Sequence, residues 1–183
     1  MIDLNVRAAA RKSLCSMSAV LLLLFSLHSF LLAQVEVKLP EMSGRAGSEI
    51  RIPLVVGDLE SEKVTGFEFV VSCDTSIIRF SGVEQSGTLS EGLAMFANNR
   101  VAPFHTGRMK VVCASAYRIS GNGVLVRIVA VLAKKAGTSP IVLSDVVLNA
   151  GKPEARTING VVRSKEAADV KQKRRGDTSR HAR

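Results

Sequence analysis

The sequence predicts an all-β sandwich, and three observations carry that reading. In EIRIPLVV, Ile50, Ile52, Leu54 and Val56 alternate with Glu49, Arg51, Pro53 and Val55. A period of two is a strand with one face buried. Similar short apolar runs recur along the chain between clusters of Gly, Ser, Asp and Asn, a rhythm that favours a sandwich over βαβ units. Pro53 has no amide to give to a ladder, so its strand needs an edge, an end or a bulge at that point.

Taken in order, the runs predict nine strands: 34–39, 49–56, 65–73, 77–83, 93–97, 108–115, 124–133, 141–148 and 157–162. Ser43, Gly44 and Gly47 read as the break between the first two. Gly57-Asp58 ends the second. Asp74-Thr75-Ser76 makes a tight connection in which the Asp74 carboxylate can accept from nearby backbone amides. Gly121-Asn122-Gly123 tolerates positive φ. Gly137 to Pro140 and Asn159-Gly160 punctuate the end of the chain. The run 124–133 is the most apolar and is relieved mainly by Arg127, which suggests a central strand covered wholly or partly on both faces.

The strands occupy one domain, residues 34–162. Residues 1–33 read as a secretory signal, with Arg7, Arg11 and Lys12 ahead of an apolar run beginning at Ala19 and a small residue, Ala33, for cleavage. The competing reading is an uncleaved anchor, but the run is short and Ser26, His28 and Ser29 interrupt it. An export signal implies a secreted, cell-surface or periplasmic protein. Residues 163–183 hold 8 Lys+Arg against 3 Asp+Glu and almost no large apolar residue. They read as a basic, disordered tail that could adhere loosely to an anionic surface. The whole chain carries a net charge of +9, yet residues 34–162 hold 14 Lys+Arg against 12 Asp+Glu. The fold is therefore nearly neutral, without the basic face and interleaved aromatics that nucleic-acid binding requires.

Cys73 and Cys113 lie beyond the signal. In an oxidising compartment they either form a disulfide or pack as small apolar side chains. Each falls on the apolar parity of its strand, so the thiols could meet if the strands are neighbours.

Catalysis finds little support. His105 sits in VAPFHTG, a loop, and a single loop histidine does not assemble nucleophile, base and orienter. Glu60, Glu62, Glu84 and Glu91 read as solvated charge. No Cys/His cluster has metal-ligand spacing, and Asp74 and Asp145 read as turn residues. The sequence asks for no cofactor. A direct glycan site normally offers aromatic faces, and the chain has no tryptophan and one tyrosine, Tyr117.

Four segments, in order and spacing, resemble the cohesin domain family. They are AGSEIRIPLVV, GFEFVVSCDTSIIRFSGV, then GRMKVVCASA with SGNGVLVRIVAVLAKKAGTSPIVLSDVVL, and finally INGVV. The resemblance implies a nine-stranded β-sandwich with jelly-roll topology. It also implies a non-enzymatic receptor that binds a dockerin module, whose calcium belongs to the partner, in extracellular polysaccharide-degrading assemblies. The family has Tyr-Asp-Pro where this chain has Cys73-Asp74-Thr75. The resemblance makes the strands 65–73 and 108–115 adjacent, which brings Cys73 and Cys113 onto neighbouring strands, within reach of each other. It places the partner on the sheet holding the third, fifth, sixth and eighth strands. The outward positions there are Glu68, Val70 and Ser72 on the third strand and Arg108, Lys110, Val112 and Ala114 on the sixth. Glu68 corresponds best to a family contact position, and Arg118 is a weaker candidate. Such a face has an apolar centre and a polar rim, as an interface needs; an ordinary solvated sheet face would also look this way.

Overall fold

A computed structural model of the chain describes residues 34–166, which form two β-sheets packed face to face. The proposed signal, residues 1–33, and residues 167–183 of the tail lie outside the described residues. The strands β1 (Gln34–Lys38), β3 (Glu49–Val56), β5 (Ile78–Glu84), β8 (Gly123–Leu132) and β10 (Glu154–Ile158) make one sheet, in the order β10-β1-β3-β8-β5. The strands β2 (Glu41–Arg45), β4 (Val64–Cys73), β6 (Ala94–Asn98), β7 (Arg108–Ile119), β9 (Gly137–Leu148) and β11 (Gly160–Lys165) make the other, in the order β2-β11-β9-β4-β7-β6. The predicted all-β sandwich is present, with eleven strands in place of nine.

The two additional strands arise where the chain changes sheets. The first predicted strand ends and β2 begins across Leu39-Pro40, in the opposite sheet. The last predicted strand divides likewise at Asn159 into β10 and β11. β1 runs parallel to β10, and β2 runs parallel to β11, so the first and last pairs of described strands cross side by side. The crossing is close: a Cβ on Gly160 would stand 2.7 Å from the Pro40 carbonyl oxygen and 2.8 Å from the Leu39 Cβ. Strands that switch sheets make the corners of a sandwich. Gly44, which looked like a chain break, lies within β2. A Cβ there would meet Ile50 and Leu132 side chains at 2.7 Å, so the residue marks close packing and the turn falls later. β11 also continues through Arg163, Ser164 and Lys165, residues that the sequence reading assigned to the tail.

Period-two alternation explains the core. Ile50, Ile52, Leu54 and Val56 from β3 are all buried, and so are Phe67, Phe69 and Val71 from β4 and Met109, Val111 and Cys113 from β7. Pro53 is accommodated as expected: β3 shifts register against β8 between Leu54 and Val55, and β1 pairs only with Val55 and Val56. β8 is interior to its sheet. Its inner face is fully buried while Val131, on the other, is 42 % exposed, so coverage on the second face is partial.

The turn after β4 is built around Asp74. Its Oδ1 accepts the Ser76 amide at 2.8 Å, and its own amide donates to Ser139 Oγ at 2.9 Å. The Ser76 backbone bond, followed by the Ser76 side chain, holds the carboxyl below its ordinary range. A carboxylate with a lowered folded-state pKa supports the fold above its unfolded value, about pH 4, and loses that support as pH falls through the folded value. Asp74→Asn keeps an acceptor oxygen and removes the titration. The variant's melting temperature should fall less than the parent's between pH 5 and pH 2.5. An equal fall would assign the acid sensitivity to other carboxylates.

Candidate functional site

The site is the outer face of the six-stranded sheet around β4, β6, β7 and β9. The third, fifth, sixth and eighth predicted strands do share this sheet, and register sets the side chains in rows. Glu68 lies between Val112 and Val147, and Val112 in turn pairs with Phe96. One row on, Val70 lies between Lys110 and Ser144, and Lys110 pairs with Asn98. Next, Ser72 lies between Arg108 and Val142. Ala114, opposite Ala94 and Gly66, closes the apolar end.

Each predicted residue thus occupies the expected face, but they are not equally available. Ala114 and Arg108 are exposed, whereas Glu68, Ser72, Lys110 and Val112 are half-buried. Val70 is a correction: it is outward by parity yet only 3 % exposed. It sits between two paired strands, with Lys110 and Ser144 on its flanks, so it supports the face from beneath and offers a partner little surface. The Lys110 Nζ reaches Glu68 Oε2 at 3.0 Å. Both groups are partly exposed, so the pair contributes about 0–1 kcal/mol to stability, and its main effect is to fix where the two charges lie. The Arg108 guanidinium stands 5.6 Å from the centroid of the Phe104 ring, which steadies a cation at the polar end. Arg118 is exposed near the end of β7.

Phe96 is the residue that sequence reasoning missed. It is 67 % exposed at the centre of the β6 side of the face, next to Val112. Its signal was parity, since Met95 and Ala97 pack against the core and Phe96 falls between them. The surrounding LAMFA is apolar throughout, which hid the alternation.

The cysteines are a second correction. β4 and β7 are adjacent, as expected, but they run antiparallel with Phe67 opposite Cys113. Cys73 is therefore six residues along the strand from Cys113's partner, about 20 Å away. A disulfide needs Cα atoms within about 7 Å, and both thiols are free. Burial, with Asp74 adding to it, pushes the Cys73 thiol up to about 12, and burial raises Cys113 as well. Thiolate at Cys73 at pH 8 is then roughly three orders of magnitude scarcer than in an unfolded chain. Alkylation mapped by peptide should be correspondingly slow at Cys73 in the native protein and fast in urea, with no oxidised Cys73–Cys113 peptide. Because the folded pKa is the higher one, the neutral thiol's contribution to stability holds below about pH 8.5 and declines as pH rises toward the folded value.

The other candidates for chemistry have structural roles. His105 accepts the Gly107 amide at Nδ1, 3.0 Å away, within the turn that leads into β7. Glu84 pairs with Arg51 at 2.6 Å, and Glu91 accepts the Gly87 amide at 3.0 Å. Among the described residues, no three His, Cys, Asp or Glu side chains converge as metal ligands.

A family model for the cohesin domain matches residues 35–166, nearly the whole of the described sandwich. The chain belongs to the cohesin domain family. Cohesin domains are non-enzymatic protein-interaction modules. Solved structures share the fold of this cohesin domain at low identity. A non-cellulosomal cohesin from the hyperthermophilic archaeon Archaeoglobus fulgidus is 19% identical, with a TM-score of 0.59 over 73% of this chain and 92% of that one. The sixth cohesin of Acetivibrio cellulolyticus scaffoldin B, solved with a Cel5 dockerin mutant, is 16% identical, with a TM-score of 0.61 over 73% of this chain and 100% of that one. The OlpC cohesin of Clostridium thermocellum, solved with Doc435, is 14% identical, with a TM-score of 0.61 over 73% and 95% of the two chains. No curated protein matches this cohesin domain in sequence.

Proposed function

We propose that this cohesin domain is an exported receptor that docks a dockerin or similar helical module on the outer face of its six-stranded sheet. The face itself carries the reading: Phe96, Val112 and Ala114 form an apolar patch toward the β6 edge, bordered on β4 and β7 by the Glu68–Lys110 pair and by Arg108. Solved cohesins of the same fold are held in complex with dockerins, which supports the same class of partner here. The partner brings its own calcium, and the assembly it joins degrades polysaccharide outside the cell.

Calorimetric titration with a panel of calcium-loaded dockerins tests this. A saturable one-to-one isotherm with at least one member is the expected result. Chelation should abolish that binding while leaving the melting curve of the cohesin domain unchanged. No saturable binding to any member, or binding that survives chelation, would overturn the reading. Export is checked separately, by finding the chain outside the cytoplasm with its amino terminus at Gln34.

A further inference from the structure

A second surface feature lies away from the docking face, where three connections meet. Gly47, in the turn before β3, donates its amide to the Ala133 carbonyl at 3.0 Å. Ala133 in turn donates to the Ile77 carbonyl at 2.8 Å, in the turn between β4 and β5. These bonds stitch the β2–β3, β4–β5 and β8–β9 connections into one rigid rim. Inside it is an open depression of about 370 Å³, lined by Thr75, Ser76, Arg79, Val131 and Lys134 among others.

The rim is basic, and its cations have no carboxylate partners. Neither Arg79 nor Lys134 joins any of the ion pairs among the described residues. Arg79 Nε donates to the Thr75 carbonyl at 3.3 Å, which fixes the guanidinium and leaves its outer nitrogens available. Lys134 also lines the depression, with its stem beginning beside Gly47. The nearby acids are otherwise engaged: Asp74 is turned back onto the Ser76 amide, and Glu49 pairs with Arg51 at 3.2 Å. The floor differs in character. Val131 is 42 % exposed there and lies between Arg79 on β5 and Glu49 on β3, whose carboxylate is the one drawn off by Arg51.

We propose that this depression binds the carboxylate or sulfate group of an acidic sugar, with the sugar ring resting on Val131. Two neighbouring cations without carboxylate partners suit an oxyanion, because charge-assisted hydrogen bonds are strong and favour planar forks such as guanidinium. An exposed aliphatic floor beside hydroxyl groups suits the C–H face of a pyranose, a contact that a bare inorganic ion does not make. The site is independent of the docking face and does not rest on the identity of a docked partner.

Amide chemical shifts of the intact protein, titrated at constant ionic strength with glucuronate, glucose 6-sulfate, acetate, sulfate and glucose, test the proposal. Glucuronate and glucose 6-sulfate should give saturable shifts centred on Ser76, Arg79, Val131 and Lys134. Acetate and sulfate should bind several-fold more weakly at the same amides, and glucose should leave them unmoved. Arg79→Gln with Lys134→Gln should weaken the acidic sugars about tenfold or more, at an unchanged melting temperature. Acetate binding as tightly as glucuronate would remove the sugar from the proposal. Linear shifts, or shifts indifferent to the double variant, would remove the site.

Discussion

Phe69→Ala should lower the unfolding free energy by about 3–5 kcal/mol, read as a fall in the urea midpoint at an unchanged slope. Phe69 is 1 % exposed and among the largest fully buried side chains. It sits on the inner face of β4, an interior strand paired on both sides with β7 and β9. Its ring stacks near that of Phe67, with centroids 6.2 Å apart and planes 13° from parallel. Truncation therefore removes apolar burial, the aromatic contact and the filler between two sheets at once. β4 is paired with β7 at Phe69 and with β9 on either side of an irregularity there, which restrains the strand from moving inward to close the cavity. A domain of this size is typically stable by about 5–15 kcal/mol, so the loss would leave it marginal. The neighbouring residue gives the contrast. Val70 is 3 % exposed but lies on the outer face and outside the core cluster. Val70→Ala should cost only about 1–2 kcal/mol, because two methyl-sized groups are lost and the flanking Lys110 side chain can settle over the gap. Equal losses at the two positions would mean that the outer face is packed as tightly as the core.

Face assignment was legible in the sequence, and register was not. The alternation that put Phe67, Phe69, Val71 and Cys73 on one side of a strand depends only on local geometry. That alternation also placed Glu68, Ser72, Lys110 and Val112 on the outer face. The pairing of Cys113 with Phe67 depends on how far β7 slides along β4, which loop geometry and the packing of the whole sheet decide. Two cysteines on the correct faces of adjacent strands were thus read as neighbours although they lie far apart. The sheet crossings at Pro40 and Asn159 were hidden for a related reason. Proline and Asn-Gly mark a change of direction, but the sequence does not say whether the chain turns back or passes to the opposite sheet. Val70 shows a further limit. Parity says which way a side chain points, while its burial on that side depends on the reach of Lys110 and the neighbouring strand.

Phe96→Asp should weaken dockerin binding by about thirtyfold or more while moving the fold's stability by no more than about 0.5 kcal/mol. The two readouts separate because Phe96 is 67 % exposed and contributes little to the core. An exposed aromatic on the edge strand β6, beside Val112 and close to Ala114, has the composition of an interface anchor. A carboxylate there would be desolvated by any partner that covers the face. The charge pair supplies the second half of the test. Lys110→Glu places two carboxylates where Nζ and Oε2 now stand 3.0 Å apart, so it should disturb both the face and the binding. Adding Glu68→Lys restores an internal pair with its polarity inverted. If a partner reads the position of each charge, the swapped protein will recover the parent's melting temperature without recovering its affinity. Recovery of both would show that the pair serves only to hold the face together. Binding that survives Phe96→Asp and the charge swap alike would move the docking surface off this sheet altogether, leaving the fold and its family membership untouched.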